Sequence, residues 1–113
     1  MAKRQLKLGA FMRPISIHTG AWRYPGAWPD ANFNFDHIKT LIRKLEAGKF
    51  DSIFIADGIG IHDVYAGTAD AALSSGAQIP KLDPMLLVSA MAHVTEHLGI
   101  GVTAPVSYEP PFT

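Results

Sequence analysis

The sequence predicts an α/β domain with the element order β-α-β-α-β, in which parallel strands are joined by helices. Two observations support this fold class. Short apolar runs alternate with segments whose apolar residues recur every three or four positions. The longest connections follow strands, whereas the turns from helix to strand are only a few residues long. Such alternation is typical of a parallel sheet with right-handed crossovers. The asymmetry of the loops favours a ligand site on the C-terminal face of the sheet.

The apolar run Ile53 to Ala56 is the predicted second strand, within the stretch Phe50 to Gly58. Its β-branched and aromatic residues, without polar alternation, predict a strand that is buried on both faces. Asp57 follows the run directly, where open parallel sheets bind ligands. An Asp-Gly turn that simply ends the strand explains the same residues equally well.

The first strand is predicted over Leu6 to Met12, and the first helix is predicted to begin after Asn34, a favourable N-cap residue. Gly48 is predicted to follow that helix as its C′ residue. The loop over Ile15 to Phe33 is long enough to be a functional loop, although its aromatic residues could equally be a plain cover of the core. The apolar positions of the helix recur at helical spacing: Phe35, Ile38, Leu41, Ile42 and Leu45.

The second helix is predicted to begin at Asp83-Pro84, because an N-cap Asp followed by Pro at the first helical position is a strong start signal. It is predicted to run over Met85 to His97, and the third strand over Ile100 to Ser107. A second long loop, small and polar, is predicted between Gly58 and Lys81. Four apolar residues predict the buried stripe of the helix: Leu87, Met91, Val94 and Leu98.

The composition excludes several classes of function. The chain has 113 residues, equal numbers of acidic and basic residues, and no Cys, so disulfides, thiolate catalysis and Cys-based metal sites are excluded. No basic stripe indicates nucleic acid and no apolar stretch is long enough for a membrane span, so we expect neither partner and a cytoplasmic protein. A three-stranded parallel sheet exposes two edges, which predicts either part of a larger fold or a homo-oligomer.

Two motifs suggest chemistry that their context does not support. Gly58 and Gly60 follow a strand like the start of a dinucleotide-binding motif, but a third glycine and a helix opening there are missing, so a coincidental turn is favoured. His93 and His97 have the spacing of a helical metal pair, but no third ligand is evident. Positive charge near a helix C-terminus is the favoured interpretation of this pair, and no metal is predicted.

Asp57 and Thr103 remain as candidate ligand contacts. Both lie near the C-terminal ends of predicted parallel strands. If the second and third strands pair, the two side chains can reach one ligand from neighbouring positions. Thr103 could equally be an ordinary β-branched strand residue. No catalytic residue is identified.

Taken together, these segments resemble the luciferase-like flavin-dependent monooxygenases, in the branch that contains the nitrilotriacetate, EDTA, dibenzothiophene-sulfone and long-chain-alkane enzymes. The matching segments follow the family's order and spacing over nearly the whole chain: Leu8 to Met12, His18 to Arg23, Glu46 to Gly58, Asp83 to Leu87 and Val94 to Ala104. Jointly they are specific, although none of them is specific alone.

The resemblance implies a TIM (β/α)8 barrel, of which residues 1–113 would form the first three strands. It implies FMN at the C-terminal ends of the strands, with the reduced cofactor (FMNH2) supplied by a separate flavin reductase. Oxygen would add to the flavin C4a, and the resulting (hydro)peroxide would oxygenate a small organic substrate. Asp57 and Thr103 carry over as flavin contacts, whereas His18 and Trp22 carry over as parts of the substrate-pocket wall.

Two departures from the family pattern bear on these expectations. Pro105 follows Thr103 closely and removes a ladder donor near the expected site. A complete barrel needs about 250 residues, so this chain is an incomplete domain that we expect to be inactive alone. The alternatives are a non-catalytic remnant or self-associating α/β module without flavin activity, and a small-ligand binding module without redox chemistry.

Overall fold

The fold is built on three short parallel strands, β1 (Gly9–Met12), β2 (Ser52–Ile55) and β3 (Gly99–Val102). They form one sheet in the order β1-β2-β3, and the register aligns Gly9, Ser52 and Gly99. Strands one and three are therefore shorter than predicted, but the parallel α/β architecture is confirmed. The computed structural model describes residues 4–14, 17–18, 20–58, 60–76, 79, 81–108 and 110–112.

Helix α1 (Phe35–Ala47) begins as the sequence predicts. The Asn34 side chain accepts a hydrogen bond from the His37 N–H at 3.1 Å, which satisfies one free donor of the first turn. At the other end the prediction for Gly48 is wrong, since Gly48 is the C-cap with φ of −75° and the left-handed residue is Lys49, with φ of 62°. Glycine is favoured at position 48 by space, because a Cβ there would lie 3.2 Å from the Lys44 carbonyl oxygen.

The predicted second helix is confirmed in place but not in length. Asp83 accepts a hydrogen bond from the Met85 N–H at 2.9 Å, a 3-10 helix spans Pro84–Leu87, and α3 spans Val88–His93. The helix ends early because the Val94 N–H turns back to the Met91 carbonyl oxygen at 3.1 Å, a tightened last turn.

The interpretation of His93 and His97 as a helical pair is therefore wrong, since α3 ends at His93. His97 lies in the turn that leads into β3. Across the described residues, no group of three or more His, Cys, Asp or Glu side chains could hold a metal ion.

The two predicted loops differ in their outcome. The first contains only a short 3-10 helix, Ala21–Arg23, and is otherwise irregular between its described residues. The second was wrongly predicted as a loop throughout, because it holds a 3-10 helix over Tyr65–Gly67 and the helix α2 (Asp70–Ser75). Helix α2 has no N-cap side chain, since Ala69 occupies that position, so no start signal marks it in the sequence.

The core lies between one face of the sheet and the helices α1 and α3. It comprises Met12, Ile38, Ile42, Ile53, Ile55, Leu87, Met91 and Leu98. In the part of the chain that the structure describes, no helix has the length and apolar character that a bilayer crossing requires.

The prediction that β2 is buried on both faces is wrong for this chain. Ile53 and Ile55 are fully buried beneath the helices, but Phe54 points to the opposite face and is 41% exposed. Phe11 of β1 lies beside it, 57% exposed, with the two ring centroids 5.8 Å apart. We call this surface, defined by Phe11, Phe54 and the neighbouring Gly101, the open sheet face. Among the described residues, α1 and α3 pack against the face that carries Ile53 and Ile55, so β2 follows the alternation of a half-covered strand.

Candidate functional site

The residues directly after β2 and β3 meet at the C-terminal edge of the sheet. The Asp57 backbone N–H donates a hydrogen bond to the Thr103 Oγ1 at 3.1 Å. The Thr103 N–H in turn donates to the Ile55 carbonyl oxygen at 3.2 Å, which extends the β2–β3 ladder by one residue. The two candidates that the sequence singled out are therefore neighbours, as strand pairing predicted.

The two residues differ in which of their polar groups can still bind a ligand. One lone pair of the Thr103 hydroxyl is engaged by the Asp57 amide, and the same oxygen lies 3.5 Å from the Ile55 carbonyl oxygen. The Asp57 carboxylate is half-buried, and it makes no hydrogen bond or ion pair within the described residues. An ionised carboxylate only accepts hydrogen bonds, so Asp57 suits a ligand that presents an N–H or O–H group.

A small cleft of about 40 Å³ lies beside Asp57. We call it the Asp57 cleft. Its apolar walls are formed by Pro14, Ile55, Ala56, Leu82, Pro84 and Leu87, and its polar groups by Arg13, Asn32, Asp57 and Lys81. An apolar cavity with a few convergent polar groups is the usual composition of a small-molecule site.

Three polar residues of this cleft were missed by sequence reasoning. Asn32 is only 6% exposed, which is unusual for an amide side chain. Lys81 is exposed, and its Nζ donates to the Gly58 carbonyl oxygen at 3.2 Å, which ties the chain before Asp83 to the loop after β2. Arg13 follows β1 directly. The position of each residue just after a strand or just before a helix was the only signal that could have found them.

A second cavity, of about 320 Å³, is lined by Thr103. Its remaining walls are mostly apolar and are formed by Asp83, Met85, Ala104, Pro105, Val106, Pro110 and Pro111. Because β3 ends at Val102, Pro105 stands outside the strand and accepts a turn hydrogen bond from the Tyr108 N–H at 3.1 Å. Pro105 therefore removes no donor from the described ladder.

His18 and Trp22 lie apart from the Asp57 cleft. The His18 Nδ1 accepts a hydrogen bond from the Gly20 N–H at 3.1 Å, and neither residue lines the cleft. The Arg23 guanidinium lies over the Trp22 ring, with its Cζ 4.7 Å from the ring centroid. The same guanidinium donates a hydrogen bond to the Ser75 carbonyl oxygen at 2.9 Å. This loop therefore contacts the end of α2, and the role of His18 and Trp22 as pocket residues stays a prediction.

Glu46, at the N-terminal end of the sheet, binds three backbone amides. Its Oε1 accepts hydrogen bonds from the N–H groups of Glu96, His97 and Leu98, at 2.8, 2.6 and 3.1 Å. The amides of His97 and Glu96 lower the pKa of the Glu46 carboxyl below its usual value. The carboxylate fastens the end of α1 to the turn before β3, so its role is structural.

The Asp51 carboxylate has a similar structural role, because it binds the residues just before β1. Its carboxylate accepts hydrogen bonds from the Leu8 N–H at 2.8 Å and from the Lys7 Nζ at 3.0 Å. The Leu8 amide, followed by Lys7, lowers the pKa of Asp51. Structural carboxylates therefore lie at the N-terminal end of the sheet, and the available carboxylate of Asp57 lies at the C-terminal end.

Comparisons with known proteins identify relatives of this chain. The chain is 40% identical to dimethyl-sulfide monooxygenase of Hyphomicrobium sulfonivorans, over 97% of this chain and 23% of that protein. It is 43% identical to long-chain alkane monooxygenase of Geobacillus thermodenitrificans, over 85% of this chain and 22% of that protein. It is 36% identical to nitrilotriacetate monooxygenase component A of Aminobacter aminovorans, over 99% of this chain and 25% of that protein. The homologues of this chain are monooxygenases of the luciferase-like branch.

The fold of this chain also resembles that of a solved structure. The fold superposes on the crystal structure of DmoA from Hyphomicrobium sulfonivorans with a TM-score of 0.83 at 40% sequence identity, covering 96% of this chain and 24% of that one. No protein-family model matches the chain. The chain thus spans about a quarter of the length of the curated relatives it matches.

Proposed function

We propose that this chain forms the first three strands of a (β/α)8 barrel in a flavin-dependent monooxygenase. The strand order supports this proposal, because consecutive strands are neighbours in a barrel, whereas a doubly wound sheet reverses its order at a switch point. The open sheet face supports it too, since the interior of a barrel would cover Phe11 and Phe54. A domain of about 250 residues would complete the barrel.

The proposed cofactor is FMN, bound at the C-terminal ends of the strands. The observation that carries this assignment is the hydrogen bond between the Asp57 amide and the Thr103 hydroxyl beside the Asp57 cleft. The Asp57 carboxylate would accept a hydrogen bond from an N–H group of the isoalloxazine ring. Thr103 would hold Asp57 in place, and it also lines the larger cavity. Bound flavin supplies the oxygen-activating chemistry, and the protein supplies binding and orientation.

The proposed substrates are O2 and a small organic molecule. The cavity of about 320 Å³ that adjoins Thr103 is mostly apolar and lies next to the proposed flavin site, so it suits an apolar part of the substrate. The reduced FMN would come from a separate flavin reductase. The designation "component A" of the nitrilotriacetate relative fits such a two-component arrangement.

The proposal is tested with the complete protein that contains this chain. We expect it to bind FMN, and we expect Asp57→Ala to weaken binding by about tenfold to a hundredfold, because a hydrogen bond to a charged group contributes about 1.5–3 kcal/mol. Asp63→Ala is the control, because it removes an exposed carboxylate outside the Asp57 cleft and should leave FMN binding unchanged. Asp51→Ala is unsuitable, because the Asp51 carboxylate holds the chain before β1. Unchanged FMN affinity in the Asp57 variant would remove the assignment of the site.

A second candidate function is self-association of the chain without flavin activity. The open sheet face favours it, because two half-exposed phenylalanine rings lie side by side next to Gly101. Sedimentation equilibrium of the 113-residue chain separates the two candidates. A well-folded monomer would contradict self-association, and a defined oligomer without FMN affinity would support it.

A further inference from the structure

We propose that Asp83 makes the cavity lined by Thr103 selective against anions, so that the substrate held there is uncharged or cationic. We call this cavity, of about 320 Å³, the Thr103 cavity. The inference rests on the proposed function, and it names the charge class of the substrate and one specificity-determining residue. Among the described residues that line the cavity, Asp83 is the only charged one, and the others are Thr103 and six apolar residues, three of them prolines.

The Asp83 carboxylate is exposed, and only one of its two oxygens has a structural contact. The Oδ1 accepts a hydrogen bond from the Met85 N–H at 2.9 Å, which caps the 3-10 helix over Pro84–Leu87. The Oδ2 makes no hydrogen bond, and the carboxylate forms no ion pair, within the described residues. Asp83 therefore presents its negative charge to the cavity with no cation beside it.

The backbone donors at the start of this helical segment are already bonded to Asp83. Free N–H groups at such a start would otherwise be available to an anion. Here the Met85 N–H donates to the Asp83 side chain, and the Leu86 N–H donates to the Asp83 carbonyl oxygen at 3.2 Å. Pro84 has no N–H to offer. An anionic ligand would therefore meet the charge of Asp83 without gaining these donors.

Thr103 offers a ligand no more than one neutral hydrogen bond. Its Oγ1 accepts from the Asp57 N–H at 3.1 Å, and the Ile55 carbonyl oxygen lies 3.5 Å away, a long contact from which the hydroxyl proton can turn to a ligand. One neutral donor does not replace the hydration that a charged group loses on entering an apolar cavity. An uncharged substrate avoids this cost, and a cationic one is attracted by Asp83.

The structural contact of Asp83 can be kept while its charge is removed. Asp83→Asn retains the size of the side chain and the oxygen that caps the helix, and asparagine is as good an N-cap as aspartate. Asp83→Ser is a second uncharged cap with a shorter side chain. Asp63→Asn is the matched control, because Asp63 is an exposed carboxylate outside the Thr103 cavity.

The test is a calorimetric titration of the complete protein, loaded with FMN, with hexan-1-ol, hexanoate and hexylammonium at pH 7. These probes share one chain length and differ in charge. We expect Asp83→Asn to bind hexanoate about fivefold more tightly and hexylammonium about fivefold more weakly, as is typical of one unit charge acting at close range through water. The affinity for hexan-1-ol should not change. Asp83→Ser should give the same pattern, and Asp63→Asn should leave all three affinities unchanged.

Salt provides a second criterion. Because Asp83 is exposed, its effect on the charged probes should fade in about 1 M salt, where the Debye length is about 3 Å. A discrimination that came from the shape of the cavity would persist.

Three outcomes would overturn the proposal. Equal changes for all three probes in Asp83→Asn would show that Asp83 acts through the shape of the helix start, and unchanged affinities would show that its charge is not used. Failure of the wild type to bind any probe would show that the Thr103 cavity does not hold a substrate of this kind. In each case FMN binding by the wild type would leave the proposed function standing, whereas a wild type that bound no FMN would contradict both.

Discussion

Thr103→Val isolates the hydrogen bond that joins the ends of β2 and β3. Valine keeps the β-branched shape and the backbone hydrogen bond from the Thr103 N–H to the Ile55 carbonyl oxygen, but it leaves the Asp57 N–H without the acceptor that lies at 3.1 Å. A donor left unsatisfied costs about 1–3 kcal/mol when it is fully buried. Asp57 is half-buried and water can partly replace the acceptor, so we expect a loss of about 1 kcal/mol.

Hydrogen exchange of the Asp57 amide measures this change directly. A loss of about 1 kcal/mol corresponds to about fivefold faster exchange of that amide when exchange follows local opening. Thr103→Ser is the matched control, because it keeps the hydroxyl and should keep most of the protection. Unchanged Asp57 exchange in the valine variant would refute the assigned hydrogen bond, whatever happened to global stability.

A double-mutant cycle extends the test to the proposed function. If Thr103 acts on FMN through Asp57, Thr103→Val should weaken FMN binding in the wild type but cause little further loss in Asp57→Ala. Equal losses in both backgrounds would instead indicate that the Thr103 hydroxyl contacts the flavin independently.

Two further predictions concern the opposite end and the open face of the sheet. Glu46→Gln should lower the urea midpoint at pH 7, whereas Glu96→Gln, an exposed carboxylate, should not. Because the folded-state pKa of Glu46 is lowered from 4.5, its stabilisation is present above that pH and is lost as the pH falls through the folded pKa, so the two midpoints should converge in acid. Phe54→Asp should change the stability of the 113-residue chain little, because Phe54 is half-exposed there. It should destabilise the complete protein by about 3 kcal/mol or more, because a barrel would bury the introduced carboxylate. Urea unfolding of both proteins measures the two effects. Equal effects in both proteins would contradict coverage of the open sheet face by a barrel.

Local signals account for the parts of the fold that the sequence predicted. The cap at Asn34 and the helical spacing after it specify α1 through contacts within a few residues. Asp83 and Pro84 specify the start of the next helical segment in the same way. The neighbourhood of Asp57 and Thr103 followed from parallel pairing alone, since consecutive strands place their C-terminal ends together.

The features that the sequence did not predict depend on distant contacts. Glu46 meets the turn before β3 from about 50 positions away, and no local pattern marks a carboxylate that binds three amides. The exposure of Phe54 depends on which face the helices cover, which the apolar run itself does not encode. The polar groups of the Asp57 cleft come from separate connections, Arg13 and Asn32 from the one after β1 and Lys81 from the one before Pro84, so only the folded chain brings them together.

A crystal structure of the complete protein with FMN tests the proposed site most directly. We expect a closed barrel, the edge of the isoalloxazine ring within hydrogen-bonding distance of the Asp57 carboxylate, and the Asp57 amide still bonded to Thr103. A flavin bound away from the ends of β2 and β3, or a chain that does not close into a barrel, would contradict the proposal.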